Sequence, residues 1–423
     1  MDAREWQTWP SALRPRAAEE LSRNRLHDEA VRCLAACVRD APDDPRIIYN
    51  WASALTAVGR LEDAEAAYDR VIALAPGDAD AYYNRATLRR QTRIRNHVPE
   101  IETRLRATAG GDPATIALNY TLAKELEDVE EYPRSFAALK RGADARRARL
   151  SYRVADDIET MAQIAHHVGQ TDVERGCRGH PDRRMVFVFG LPRSGTTLVD
   201  RILSSHSGVR SRGESSDLAL AVTRCAGGAR GRPELIRLAA LIEPQRLGAE
   251  YCSRVGADAA VRIIDKTPSN FLYLGLIAAA LPDAVLIHVR RNCRDVCYAM
   301  YKTLFRMAYP FSYDLTDLAR YYAAYARLMA YWRSVLGDRI IEIDYETLVG
   351  DPETESRRLI RACGLDWESG CTDFHRNPTP SLTASAAQVR LPIYTLSVGL
   401  WRRYARELEP LIATLRAAGV ESE

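Results

Sequence analysis

Lysine is scarce in this 423-residue chain. Of 59 basic residues only Lys124, Lys140, Lys266 and Lys302 are lysines, which leaves 55 arginines. Codon bias in a GC-rich genome accounts for such an excess, and a lysine kept against it is a candidate for chemistry that a guanidinium does not perform. An excess of one charge sign is missing too: 59 basic against 56 acidic residues gives a net charge of +3. That balance excludes nucleic acid or a membrane surface as the partner of the chain as a whole, so any anion site must be local. No apolar run approaches the roughly 18–20 residues of a transmembrane helix. The opening MDAREWQTWP lacks the basic-then-apolar layout of a secretory signal, so a cytoplasmic protein is expected. The nine cysteines are not clustered; Cys33/Cys37 and Cys293/Cys297 stand four apart, at helix spacing, without further ligands at zinc-finger intervals. His166–His167 likewise lack a third ligand. The expectation is buried thiols and no metal. What is present is ordinary for a globular protein, 47% hydrophobic and 27% charged residues, with length for two or three domains.

The first third is periodic. Ala30 recurs as Ala64 and Pro42 as Pro76, each after 34 residues, and WASALTAVGRLEDAEAAYDRVIALAPGD sets Trp51, Ala52, Leu55, Gly59, Leu61, Ala64, Tyr68 and Pro76 at fixed offsets. The pattern resembles the tetratricopeptide repeat, a helix–turn–helix unit in which small residues let paired helices approach and larger ones fill the gaps between pairs. Residues 45–78 match best and 11–44 more loosely. Residues 79–112 lose the second-helix alanine, and the pattern returns from Ile116, with Pro133 at a helix start. The repeats are assigned to 1–150 as an all-α solenoid. ARRARLSYRVADDIETMAQIAHH reads as a further helix that leads into a connector over 151–184, which ends in the turn-rich TDVERGCRGHPDRR.

The remainder, 185–423, reads as one α/β domain. MVFVFG (185–190), AVRII before Asp265, AVLIHV (284–289) and RIIEID (339–344) are short apolar runs, separated by the helical stretches TTLVDRILSSH, SNFLYLGLIAAAL and TDLARYYAAYARLMAYWRSVL. Strands alternating with helices predict a parallel sheet. Directly after the first strand, GLPRSGTT places a glycine-rich turn before a helix N-terminus, a cradle for phosphate. Gly190 and Gly195 have the spacing of a P-loop, but Thr196 stands where a nucleoside triphosphatase needs its lysine. A shorter anion, with one 5′-phosphate and something attached, suits the turn better than ATP.

FVFGLPRSGTTLVDRILSSHSGVRSRGE resembles the 5′-phosphosulfate loop of sulfotransferases that use 3′-phosphoadenosine-5′-phosphosulfate (PAPS), in the form found in tyrosylprotein sulfotransferases and their bacterial relatives fused to tetratricopeptide repeats. Three more segments agree in order over roughly 185–410. IIDKTPSNFLYL resembles the family's Lys-x-Pro element, which makes Lys266 the ammonium at the sulfuryl group and its bridging oxygen. LIHVRRNCRDVCYAMYK is similar to the 3′-phosphate site, with Arg291 on the family arginine. Eight residues later stands Ala299 instead of serine, removing a hydrogen bond of about 1–3 kcal/mol, which Arg294, Tyr298 or Lys302 could replace. TASAAQVRLPIYTLSVGLWRRY resembles the C-terminal segment, which implies Ser385 beside the transferred group and Gln388, Val389 and Arg390 in the cofactor-binding stretch. Leu400 stands where the family often has a basic residue before Trp401, and Arg402 and Arg403 are expected to point elsewhere. Tyr345 matches a tyrosine near the adenine, or else fills core.

The resemblance implies that Arg193, Ser194, Gly195, Thr196 and Thr197 hold the 5′-phosphosulfate. It puts Glu214 on the general base, with His206 as the runner-up and Asp217 as an acceptor-site residue or a helix cap. Lys266 and Ser385 would stabilise the transition state. The expected reaction is sulfuryl transfer from PAPS to an acceptor hydroxyl, tyrosine of a peptide or protein held by the repeats, leaving adenosine 3′,5′-bisphosphate. Alternatives are a small-molecule or glycan hydroxyl, a P-loop kinase, and a repeat scaffold with a weakened transferase domain. A homodimer is compatible with the sequence.

Overall fold

The computed structural model describes residues 5–24, 26–168, 179–256, 261–377, 379–380, 383 and 385–420. Residues 171–178 of the expected boundary, with Cys177, lie outside the described residues. The chain divides into two compact units: 1–150 with 302–313 and 378–391, and 151–301 with 314–377 and 392–423. Two short segments from the C-terminal part of the sequence therefore group with the repeats, and the connector groups with the sheet.

Among the described residues of the first unit eight α-helices run from Arg14–Arg23 to Tyr132–Arg147; consecutive helices pack on each other except that Ala79–Thr87 packs on Ala114–Asp128 and not on Val98–Ala107. The best-matching repeat has the expected local causes. Asp44 accepts the Arg46 N–H at 2.9 Å and Pro45 opens the helix Pro45–Val58; Gly59 closes it. Ala52, Leu55, Ala64 and Tyr68 are buried between that helix and Leu61–Leu74. Where the pattern fades, Ala79–Thr87 and Val98–Ala107 are short and separated by a loop. The segment 302–313 is fixed within this unit by the pairs Lys302–Glu127 and Arg306–Asp80, by the Leu304 N–H donating to Tyr83 at 3.1 Å, and by Tyr313 edge-on to Tyr120.

The second unit opens with Val154–His167. The single helix read across 145–167 is in fact two, broken over 148–153; Asp156 and Asp157 in the first turn mark the new N-terminus. Five strands follow, β1 (Met185–Gly190), β2 (Val209–Ser211), β3 (Arg262–Asp265), β4 (Val285–Arg290) and β5 (Ile340–Asp344), all parallel in the order β2-β3-β1-β4-β5. β2 escapes a reading by pattern because it is three residues long with an arginine at its centre. Every residue of β1 is buried. Val186 and Val188 join a core with Ile202, Ile264, Ile287 and Ile343, while Phe187 lies against Tyr251 and Phe189 stacks on His288. A strand covered on both faces reads as a continuous apolar run, as MVFVFG does. With β3 on one side of β1 and β4 on the other, the strand order reverses at β1, and the carboxyl ends of these strands border the crevice in which ligands of such sheets bind.

Phe187→Ala, which empties a site at the middle of the sheet, is expected to cost about 3–5 kcal/mol, read as a lowered urea midpoint for the unit by circular dichroism.

Candidate functional site

The turn after β1 is built by backbone that few residues tolerate. Gly190 has φ +152°, and a Cβ there would sit 2.5 Å from the Val289 carbonyl of β4. Gly195 has φ +109°, and a Cβ would meet the Tyr345 ring at 2.6 Å. Between them Arg193 also takes a positive φ, 67°. The helix Thr196–Ser204 starts immediately, so the N–H groups of its first residues lack intrahelical acceptors. Ser194 Oγ is buried without a hydrogen-bond partner. An orphaned hydroxyl, a helix N-terminus and a glycine cradle together suit an anion.

Arg291 holds this turn. Its Nη1 donates to the Arg193 carbonyl at 3.0 Å and its Nη2 to the Ser397 carbonyl at 2.7 Å, and the guanidinium lies 4.6 Å from the centre of the Tyr345 ring. Its Nε is buried and without a hydrogen-bond partner. Tyr345 in turn meets Ser397 Oγ at 2.9 Å. The arginine expected at a 3′-phosphate is thus largely a clamp on the loop, and the tyrosine expected at an adenine closes over Gly195. Burial pushes the Tyr394 phenol up, and the neighbouring Arg193 and Arg291 pull it back.

Ala299 is buried in the helix Cys293–Tyr301. Of the three residues that could replace the missing serine, Lys302 pairs with Glu127 and Tyr298 is buried against Tyr404, ring centres 4.6 Å apart. Arg294 lies over Trp401 at 4.5 Å. In the 3-10 turn Leu400–Tyr404, Arg402 lies 5.6 Å from the same ring. Asp295 accepts the Gly399 N–H at 2.6 Å and fixes this turn to the helix.

Glu214 and Lys266 meet. Lys266 follows β3 and is 1% exposed; its Nζ donates to Glu214 Oε1 at 2.6 Å, while the Glu214 side chain is 46% exposed. Backbone contacts stitch the two segments: Arg212 N–H to the Ile264 carbonyl at 2.8 Å, Lys266 N–H to the Gly213 carbonyl at 3.0 Å, and Ser215 N–H to Thr267 Oγ1 at 3.0 Å. Asp217 belongs to the same scaffold, accepting from Arg212 and Ser215, each at 2.6 Å. Burial raises its carboxyl, but these two partners win and hold it below the usual range. Both ring nitrogens of His206, the runner-up base, have partners. Its Nε2 faces the Asp366 carbonyl at 2.9 Å, and its Nδ1 accepts from the Gly208 N–H at 3.0 Å.

Two buried aspartates at this site went unread in the sequence. Asp265, at the end of β3, accepts from Tyr251 at 2.9 Å, Thr267 at 2.7 Å and Asn270 at 3.0 Å; burial pushes its carboxyl up and these donors draw it back. Asp200 stands four residues after Thr196, on the same helix face, a spacing visible in TTLVDRIL. Ser385, Gln388, Val389 and Arg390 belong to the repeat unit. There the Arg390 guanidinium donates to the Thr379 carbonyl at 3.2 Å and the Ala57 carbonyl at 3.4 Å. Among the described residues His180, Asp182 and Cys252 lie close enough to share an ion, but Asp182 is spent on Arg184, whose bonds at 2.7 and 3.0 Å hold its carboxyl at about 2 against burial.

Residues 185–369 match the sulfotransferase family and residues 45–88 the tetratricopeptide repeat. The chain is 29% identical over 401 residues to an uncharacterized protein of Aquifex aeolicus (strain VF5), covering 92% of this chain and 52% of that one. It is 22% identical over 242 residues to a protein-tyrosine sulfotransferase of Drosophila melanogaster, covering 51% of this chain and 46% of that one. The chain therefore spans about half the length of these curated relatives. Among solved structures, the sulfotransferase domain of the Synechococcus PCC 7002 olefin synthase aligns with 54% of this chain and 96% of its own, at 18% identity and a TM-score of 0.35.

Gly195→Ala adds a methyl where the Tyr345 ring lies and where φ is positive, at an expected cost of about 1–3 kcal/mol in thermal stability. In a Tyr345→Ala background the steric share should vanish, so the double variant falls short of the sum of the singles.

Proposed function

With residues 185–369 belonging to the sulfotransferase family, we propose that this chain transfers a sulfuryl group from PAPS to an acceptor hydroxyl, that of tyrosine in a peptide or protein. The contact of Glu214 with the buried Lys266, 2.6 Å long and just past the carboxyl ends of β2 and β3, carries the proposal. Transfer to a hydroxyl requires a base for the acceptor proton and a cation for the departing phosphate oxygen. Glu214 takes the proton as the acceptor oxygen bonds to sulfur. Lys266 donates to the bridging oxygen as its bond to sulfur breaks. A phenol, with an ordinary pKa near 10, is within reach of a carboxylate base.

The orphaned Ser194 Oγ and the N-terminus at Thr196 and Thr197 would hold the 5′-phosphosulfate, with Arg193 beside them. Arg291 has its Nε for the 3′-phosphate, and Arg294 supplies a second cation nearby in sequence. Thr196 in place of a triphosphatase lysine disfavours ATP. The repeats support a polypeptide acceptor, since stacked helix pairs present an extended surface suited to one.

Calorimetry is expected to register adenosine 3′,5′-bisphosphate and not ATP. Binding of ATP alone would favour a kinase, and silence with both a scaffold. Glu214→Gln should lower kcat for sulfur-35 transfer from PAPS to tyrosine peptides by about 10²–10⁴ and leave bisphosphate binding in place. Full turnover in that variant would remove Glu214 as the base.

A further inference from the structure

Thr267 follows Lys266 as Ser215 follows Glu214, and these two neighbours are joined: the Ser215 N–H donates to Thr267 Oγ1 at 3.0 Å. A threonine hydroxyl has a single proton to give. Asp265 Oδ1 lies 2.7 Å from it and the Ser215 carbonyl 3.1 Å. The carboxyl is the nearer acceptor, which leaves the lone pairs of Oγ1 to the Ser215 N–H. Asp265 is itself fixed, buried at the end of β3 with Tyr251 and Asn270 as further donors. Ser215 is gripped a second time through its own hydroxyl, which donates to Asp217 at 2.6 Å and accepts the Asp217 N–H at 3.0 Å. On the other side of Glu214 stands Gly213, at φ +62° and with open space where a Cβ would lie. A glycine adds little stiffness to a loop, so the Ser215 side carries more of the orientation of Glu214.

We propose that Thr267 is a positioning residue: its hydroxyl ties the loop residue after Glu214 to the buried Asp265 and so keeps the Glu214 carboxylate against Lys266. The tie itself stands on geometry alone. Its consequence for turnover rests on the sulfuryl-transfer reading, in which a base displaced by about 1 Å costs about 10²-fold in rate.

Thr267→Val keeps the shape of the side chain and removes the hydroxyl, whereas Thr267→Ser keeps the hydroxyl. Hydrogen exchange read by mass spectrometry reports the tie in the peptide that contains Ser215. Losing this one hydrogen bond should speed exchange at that amide about 3–10-fold in Thr267→Val, and Thr267→Ser should bring it back to the wild-type rate. Unchanged exchange in Thr267→Val, or in Thr267→Ala if the valine variant does not fold, overturns the proposal. In the sulfation assay Thr267→Val should lower kcat by about 10–10²-fold while KM for PAPS stays within about twofold, and Thr267→Ser should recover kcat. A general loss of stability would not divide kcat from KM in this way. Full turnover in Thr267→Val beside fast exchange overturns the catalytic consequence. Fast exchange in Thr267→Val beside a wild-type protein that transfers no sulfate would end the functional reading and leave the tie standing.

Discussion

An ammonium withdrawn from water at the end of a parallel strand is the constraint around which the catalytic unit is arranged. Taking such a charge out of solvent is expensive unless its partner is held in place. That partner, Glu214, sits on a loop, and a free loop would not stay. Two backbone bonds and one from the Ser215 N–H to the Thr267 hydroxyl fasten 212–215 to 264–267, so the pair depends on this pairing more than on its own attraction. Asp265 accepts from Thr267 and Asp217 from Ser215, the residues next to Lys266 and Glu214. The sheet, the loop and the buried aspartates thus act as one support.

The phosphate-loop side follows a similar logic with a different cation. Arg291 bridges two carbonyls, one in the turn after β1 and one in the C-terminal segment, and rests on Tyr345. A planar fork suits that task because it spends parallel donors without rearranging. The turn is therefore shaped before any anion arrives, and binding need not order it.

Much of this was legible in the sequence, for identifiable reasons. MVFVFG, the glycine spacing and the helix-opening threonines are local features, and local features determined the loop. Glu214 and Lys266 lie 52 residues apart; each was picked out by the family pattern, not by periodicity, and their contact is a finding of the structure. Arg291 shows the limit. Its position was read from the sequence, but its two carbonyl acceptors depend on where 397 returns, which no window reveals. Arg402 was placed with an α-helical wheel, whereas its segment is a 3-10 turn in which it lies by Trp401. Asp200 was passed over as an ordinary helical acid; its helix packs on β1 and on β2, a strand too short to announce itself.

The grouping of 302–313 and 378–391 with the repeats has a consequence for how this polypeptide can be divided. A fragment starting at 151 would retain Lys302, Arg306 and Tyr313 but strip them of Glu127, Asp80 and Tyr120. The helical array is not a cassette that recombination could add or shed at one junction: any ancestor that acquired it had to adjust three separate stretches of chain together.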